Sequence, residues 1–233
     1  LVEIDKYLHF TIGLSTYTLR YKFGGKGTVE ELREDIAKKL DIRLDNKTPL
    51  QIERDLVAYE QQHPGAIQKA IDDAEIGVDC SGFVYNIRDA ADKAIGGDGI
   101  ADEVQIYDNE SQRWRFVGEV YPTNPASWVN AETLNNAQNI ERFRPGLNFV
   151  EVGDTIRLKG HIIVVMEVKR DPITGNVEEI VYAHSRDSKR SGIRTGRINI
   201  TKLEAMLKEQ HWKDDKYYNK LLRGADTPRK PRY

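Results

Sequence analysis

The sequence predicts an α+β protein, and three observations carry that expectation. The first hundred residues hold several capped helical patterns. The stretch from 154 to 185 holds short runs rich in Val and Ile, bounded by Gly, Pro, Asp and Asn. Helices and strands are segregated along the chain rather than alternating, which favours helices on an antiparallel sheet. With 233 residues the chain can bury a sizeable core. Its 39% hydrophobic and 31% charged residues are those of an ordinary globular protein.

In chain order, Leu1, Ile4, Leu8 and Ile12 recur at helical spacing and predict an amphipathic helix within residues 1–20. The glycine pair of "YKFGG" (21–25) stops it. Thr28 with Glu31 forms a capping box that opens a helix through about Leu40. Thr48, Pro49 and Gln51 open another, with proline at its first position. "HPG" (63–65) breaks that helix, and a shorter one follows to Ala74. Residues 26–75 therefore read as a polar helical insertion lying on the surface.

"SGFVYNIRDAADKAIGG", following Cys80, reads as a helix ending at Gly96 and Gly97. Residues 98–150 read as a second insertion of loops, short strands and a brief helix near 131–139. The strands "DTIRL" (154–158), "HIIVVMEVK" (161–169) and "VEEIVYAHS" (177–185) come next, the last two joined by the turn "DPITGN". "GIRTGRINI" (192–200) adds a further strand, and "KLEAMLKEQHW" (202–212) a last helix. One domain spans 1–225, and 226–233 form a loose basic tail.

The lone cysteine is the sharpest chemical question. Free cysteines are commonly plain core residues, but Asp79 is a plausible N-cap that sets Cys80 in the first turn of a helix. Unpaired N–H groups and the helix dipole there favour a thiolate. Ser81 and Gly82 leave room for a substrate carbonyl. A nucleophilic thiol also needs a base, and the base a partner that fixes its tautomer. A turn centred between Pro172 and Ile173 pairs His161 with His184 across the hairpin, on one face of the sheet. A centre half a residue later pairs His161 with Ser185 instead.

"DCSGF" (79–83), "GD" (153–154), "HIIVV" (161–165) and "YAHS" (182–185), preceded by "YKFGG", resemble the motifs of the NlpC-like cysteine peptidases of bacterial cell walls. The resemblance implies a papain-like fold, with cysteine at the start of a helix packed on an antiparallel sheet. It implies Cys80 as nucleophile, His161 as general base and His184 as the residue that holds the imidazole. Tyr21 would stand near the cysteine and assist the oxyanion, while Asp79 and Ser81 would face the substrate. Gly24 and Gly25 would make the turn that brings Tyr21 close. The sequence departs from the family at Phe23, where tryptophan is usual, and at "VEVGD", where Pro-Gly-Asp is usual. Residues 26–78, between the tyrosine and cysteine motifs, are also a longer gap than is usual.

The implied function is hydrolysis of an amide in peptidoglycan stem peptides, by family habit the bond between D-glutamate and a diamino acid. The rival expectations are a cysteine amidase or acyltransferase acting on a protein or lipid, and a wall-fragment binding module without cleavage. The cationic segment 186–197 is a candidate partner for substrate carboxylates. The helical insertion is a candidate protein-docking surface. No cofactor, metal site or nucleic-acid partner is expected: the net charge is −2, the pI about 6.3, and no ligand spacing is recognisable. No membrane span is expected either, since "IIVVM" is the longest apolar run. The resemblance implies a secreted or cell-wall location, with a cytoplasmic one compatible with a single thiol.

Overall fold

A computed structural model describes residues 1–136, 138–142, 146–186, 192–213 and 229–231, with backbone alone for 140–142 and 229–231. The helices are α1 (Val2–Leu8), α2 (Val29–Lys39), α3 (Pro49–Gln62), α4 (Ala66–Asp73), α5 (Cys80–Ala94), α6 (Val117–Val120) and α7 (Ala131–Leu134). The strands are β1 (Thr11–Ile12), β2 (Ser15–Thr16), β3 (Gln105–Asp108), β4 (Arg113–Phe116), β5 (Ile140–Arg142), β6 (Thr155–Leu158), β7 (His161–Arg170), β8 (Val177–Arg186), β9 (Gly192–Asn199), β10 (His211–Trp212) and β11 (Arg229–Pro231). Seven of them form an antiparallel sheet in the order β10-β9-β8-β7-β6-β11-β5, and α5 packs against β7 and β8. The protein is α+β.

The capping signals fold as read. Thr28 Oγ1 accepts from the Glu31 N–H and Glu31 Oε2 from the Thr28 N–H, and Thr48 and Gln51 repeat the exchange one helix later. Each such cap is worth about 1 kcal/mol. The first helix is shorter than expected. It ends at Leu8, and Gly13, at φ 61°, turns the chain into the β1–β2 hairpin that places Ile12 in the core.

The 26–75 segment is no surface appendage. Leu32, Ile36, Leu56, Ile67 and Ile71 are buried in the same apolar cluster as Phe83, Val84 and Val164. The charged residues that made it look superficial occupy only the outer faces of α2–α4, as amphipathic helices require. The segment 202–212 forms no α-helix. A single 3-10 turn at Leu207–Glu209 leads into β10, and the side-chain amide of Gln210 closes the loop on the carbonyls of Lys202 and Ala205. Within the supposed loose tail, β11 runs between β6 and β5; 226–228 and 232–233 lie outside the described residues, as do 187–191 of the cationic segment.

The register of the long hairpin also differs. A turn centred after Pro172 would set Val164 opposite Val181; the sheet sets Ala183 there. The turn is fixed by side chains instead. Asp171 accepts from the N–H groups of Ile173 and Thr174 at 2.9 and 2.6 Å, and Gly175 takes the left-handed φ of 72° that brings Asn176 back to Asp171. The displacement is two residues, an even number, so His161 and His184 still share a face.

Candidate active site

Backbone contacts hold the start of the cysteine helix against the loop 21–25, and a serine hydroxyl ties it to the sheet. The loop 21–25 turns on the Gly25 N–H to Lys22 carbonyl bond, with Gly24 at φ 75°. The Gly25 carbonyl then accepts the Asp79 N–H at 2.9 Å. Gly82, in the first turn of α5, must be glycine because a Cβ there would stand 2.6 Å from that same carbonyl. On the far side Ser185 Oγ donates to the Val78 carbonyl, tying β8 to the strand of chain that enters α5. The glycine pair does make the tight turn that the resemblance implied.

Asp79 caps α5 through Oδ1, which accepts from the Gly82 N–H at 2.7 Å. Cys80 therefore opens the helix, on the wall of a cleft of about 540 Å³ that Tyr21, Asp79, Ser81, Trp128 and Arg157 also line. The thiol is 6% exposed. Its sulfur faces the backbone N–H of Ile162, the residue after His161. Burial pushes the thiol pKa up, and the Asp79 carboxylate adds to the rise against the opposing pull of Lys26 and the Ile162 and Ser81 N–H groups. The expectation of a thiolate favoured by the helix start is thus reversed: desolvation wins, and the resting group is a neutral thiol.

His161 and His184 meet, diagonally across the displaced register rather than as the directly opposed pair that a turn after Pro172 would make. His161 Nε2 lies 2.9 Å from His184 Nδ1, and the rings cross at 77°. Burial holds His161 down to about 4, helped by the positive charge of Arg186 and opposed by Asp79. His184 is also held well below the usual imidazole range, by burial first, then by His161, Arg194 and Arg186. Both imidazoles are neutral near pH 7, so one ring donates and the other accepts. Arg186 and Arg194 thus act on the histidine pair.

Cys80 and His161 stand near one another without being hydrogen-bonded. Among the described residues no hydrogen bond joins the Cys80 sulfur to either imidazole. Alternation along β7 accounts for this. Cys80 packs in the cluster of Ile162, Val164 and Ala183, while Ile163 and Tyr182, which share the histidines' parity, belong to the second cluster. The sulfur and the His161 ring thus flank the first peptide of β7.

Lys26 is a site residue that sequence reasoning missed. Its buried ammonium donates to Asp79 Oδ1 at 2.8 Å, to Ser81 Oγ, and to the Val129 carbonyl at 2.9 Å. It pins the 98–150 segment to the start of α5. Asp79 and Ser81 line the cleft, but this lysine already occupies them. The signal was present: Lys26 directly follows the glycine pair that had to approach the cysteine. Tyr21 lines the cleft half-buried, and Trp128 stacks flat on Tyr121 at 3.9 Å and 5°. Among the described residues no group of three His, Cys, Asp or Glu side chains is arranged to hold a metal ion, and no helix is long and apolar enough to cross a membrane. Family models, curated proteins and solved structures, compared with this chain, give no match.

Proposed function

We propose that the protein is a cysteine peptidase or amidase of papain-like architecture, acting on amide bonds such as those of peptidoglycan stem peptides. The observation that carries this reading is the placement of the single cysteine, at the start of the helix that packs on β7 and β8, in a cleft, beside the strand that begins with one of two mutually bonded buried histidines. The motif resemblance supplies the substrate class.

The chemistry follows from the protonation states. With both partners neutral, the His161 imidazole takes the thiol proton as the sulfur attacks the carbonyl carbon, and the carbonyl π pair moves onto oxygen. The Cys80 N–H stands in the first helical turn, where no helical carbonyl is due to it, and serves with Tyr21 to stabilise that oxygen. The imidazolium returns its proton to the departing amine as the C–N bond breaks, leaving a thioester. Water, deprotonated by the same ring, then releases the acid and restores the thiol. Because the sulfur and the ring flank the first peptide of β7, the transfer requires the start of that strand to turn the His161 ring toward the sulfur when substrate binds, since catalytic hydrogen bonds are often loose in a free enzyme.

The neutral thiol, bonded to neither imidazole, also favours a second reading, a binding module that holds wall fragments without cleaving them. Digestion of purified peptidoglycan and soluble stem peptides, read by mass spectrometry, separates the two. New fragments that vanish in Cys80→Ala establish the peptidase and name its bond. Binding of stem peptides by the wild type without any cleavage establishes the module.

A further inference from the structure

The charges at the start of α5 are matched among themselves. Asp79 Oδ1 accepts from Lys26 Nζ, Ser81 Oγ and the Gly82 N–H, and Oδ2 accepts from the Gly24 N–H at 3.1 Å. Lys26 divides its remaining donors between Ser81 Oγ and the Val129 carbonyl. A carboxylate and an ammonium so occupied hold the wall together and leave little for a substrate. Two other charged residues line the cleft, Arg157 and Glu132. Glu132 stands exposed.

Arg157 is different. It lies within β6, half-buried, and has no hydrogen bond or ion pair among the described residues. Its partner across the β6–β7 ladder is Ile162, whose N–H faces the Cys80 sulfur. Cross-strand partners project to the same face, so the guanidinium leaves the sheet on the side that α5 covers. A desolvated, unmatched cation is costly, and a planar guanidinium is the group best shaped to bind a carboxylate through two parallel N–H bonds. One cation with an acid also in the lining suits a single negative charge rather than a dianion.

We propose that Arg157 is the anchor for a carboxylate that the substrate carries close to its scissile amide. This rests on the reading of Cys80 as nucleophile and assigns what that nucleophile's substrate must look like. The Trp128 face, 55% exposed beside the anchor's cleft, covers the adjoining apolar part of the ligand. The recognition moves from Asp79, Ser81 and the 186–197 segment, where sequence reasoning had put it, to the β6 strand.

The single thiol makes the test direct: the rates at which iodoacetate and iodoacetamide alkylate Cys80, followed by intact mass at low salt and compared with a free cysteine. The wild type should favour iodoacetate, relative to the free thiol, by about fivefold or more, and added salt should erode the preference. Arg157→Gln should return the ratio to the free-thiol value, whatever the absolute rates, and Arg157→Lys should keep part of the preference. Cys80 reacting with iodoacetamide but showing no preference for the carboxylate, or a preference that survives Arg157→Gln, overturns the anchor alone. Cys80 inert to both reagents overturns the nucleophile and the anchor together.

Discussion

His161 Nε2 and His184 Nδ1 are 2.9 Å apart inside the protein, with the shared proton on one of them. Which nitrogen holds it decides what the site can do. If His184 accepts, His161 carries its proton on Nε2 and keeps a bare lone pair on Nδ1, the nitrogen left for the thiol. Asparagine at 184 can also accept through its amide oxygen, whereas alanine cannot. His184→Asn should therefore retain most of the peptidase rate, within about tenfold, while His184→Ala loses about a hundredfold. Steady-state rates on a cleaved stem peptide measure both. Equal losses in the two variants would show that His184 acts by filling space.

The depressed histidines also predict an acid limit to stability. His161 titrates near 4 in the fold and near 6.5 when unfolded. Between those values the unfolded chain binds more protons, so stability is fully present above about pH 6.5 and falls as the pH drops toward 4. From His161 alone the loss between pH 7 and pH 5 is about 2 kcal/mol, and His184 adds in the same direction. Urea midpoints at the two pH values measure it. His161→Gln, which cannot charge, should flatten the dependence.

The thiol should titrate high. Because burial raises the Cys80 pKa, its alkylation by iodoacetamide should climb about tenfold per pH unit through pH 7 to 8.5, with no plateau in the acid range. A rate already level at pH 6 would mean that the resting site is a thiolate–imidazolium pair, and the order of proton transfer argued above would be reversed.

The local signals were legible because they act over three or four residues. Thr28 and Thr48 cap as read, and Asp79 does so at the one helix start that matters most. The histidine pair was legible because a register error of two leaves the face unchanged. What was not legible depends on distant chain. Nothing near Leu32 or Ile36 says that their helix shares a core with Phe83. Nothing near Arg157 says that it lacks a partner, and nothing near Val129 says that its carbonyl accepts from a lysine 103 residues earlier. The thiol's pKa failed for another reason. The helix start is local, but the burial that outweighs it comes from the sheet.

Lys26 is the residue whose loss should be felt most widely. It is a buried ammonium against a buried carboxylate, with the side chains of Lys26 and Asp79 only 8% and 9% exposed. Such a pair adds little net stability, but removing one member leaves the other's charge unpaired. Lys26→Met should therefore cost about 3 kcal/mol or more, and Asp79→Asn added to it should restore part of that by removing the stranded charge. The double variant still lacks the bond to the Val129 carbonyl, so the Trp128 wall should remain loose and the KM for a cleaved peptide high, even where the urea midpoint has recovered. Recovery of both together would reduce Lys26 to a counter-ion. Recovery of stability without KM would make it the clasp that shapes the cleft.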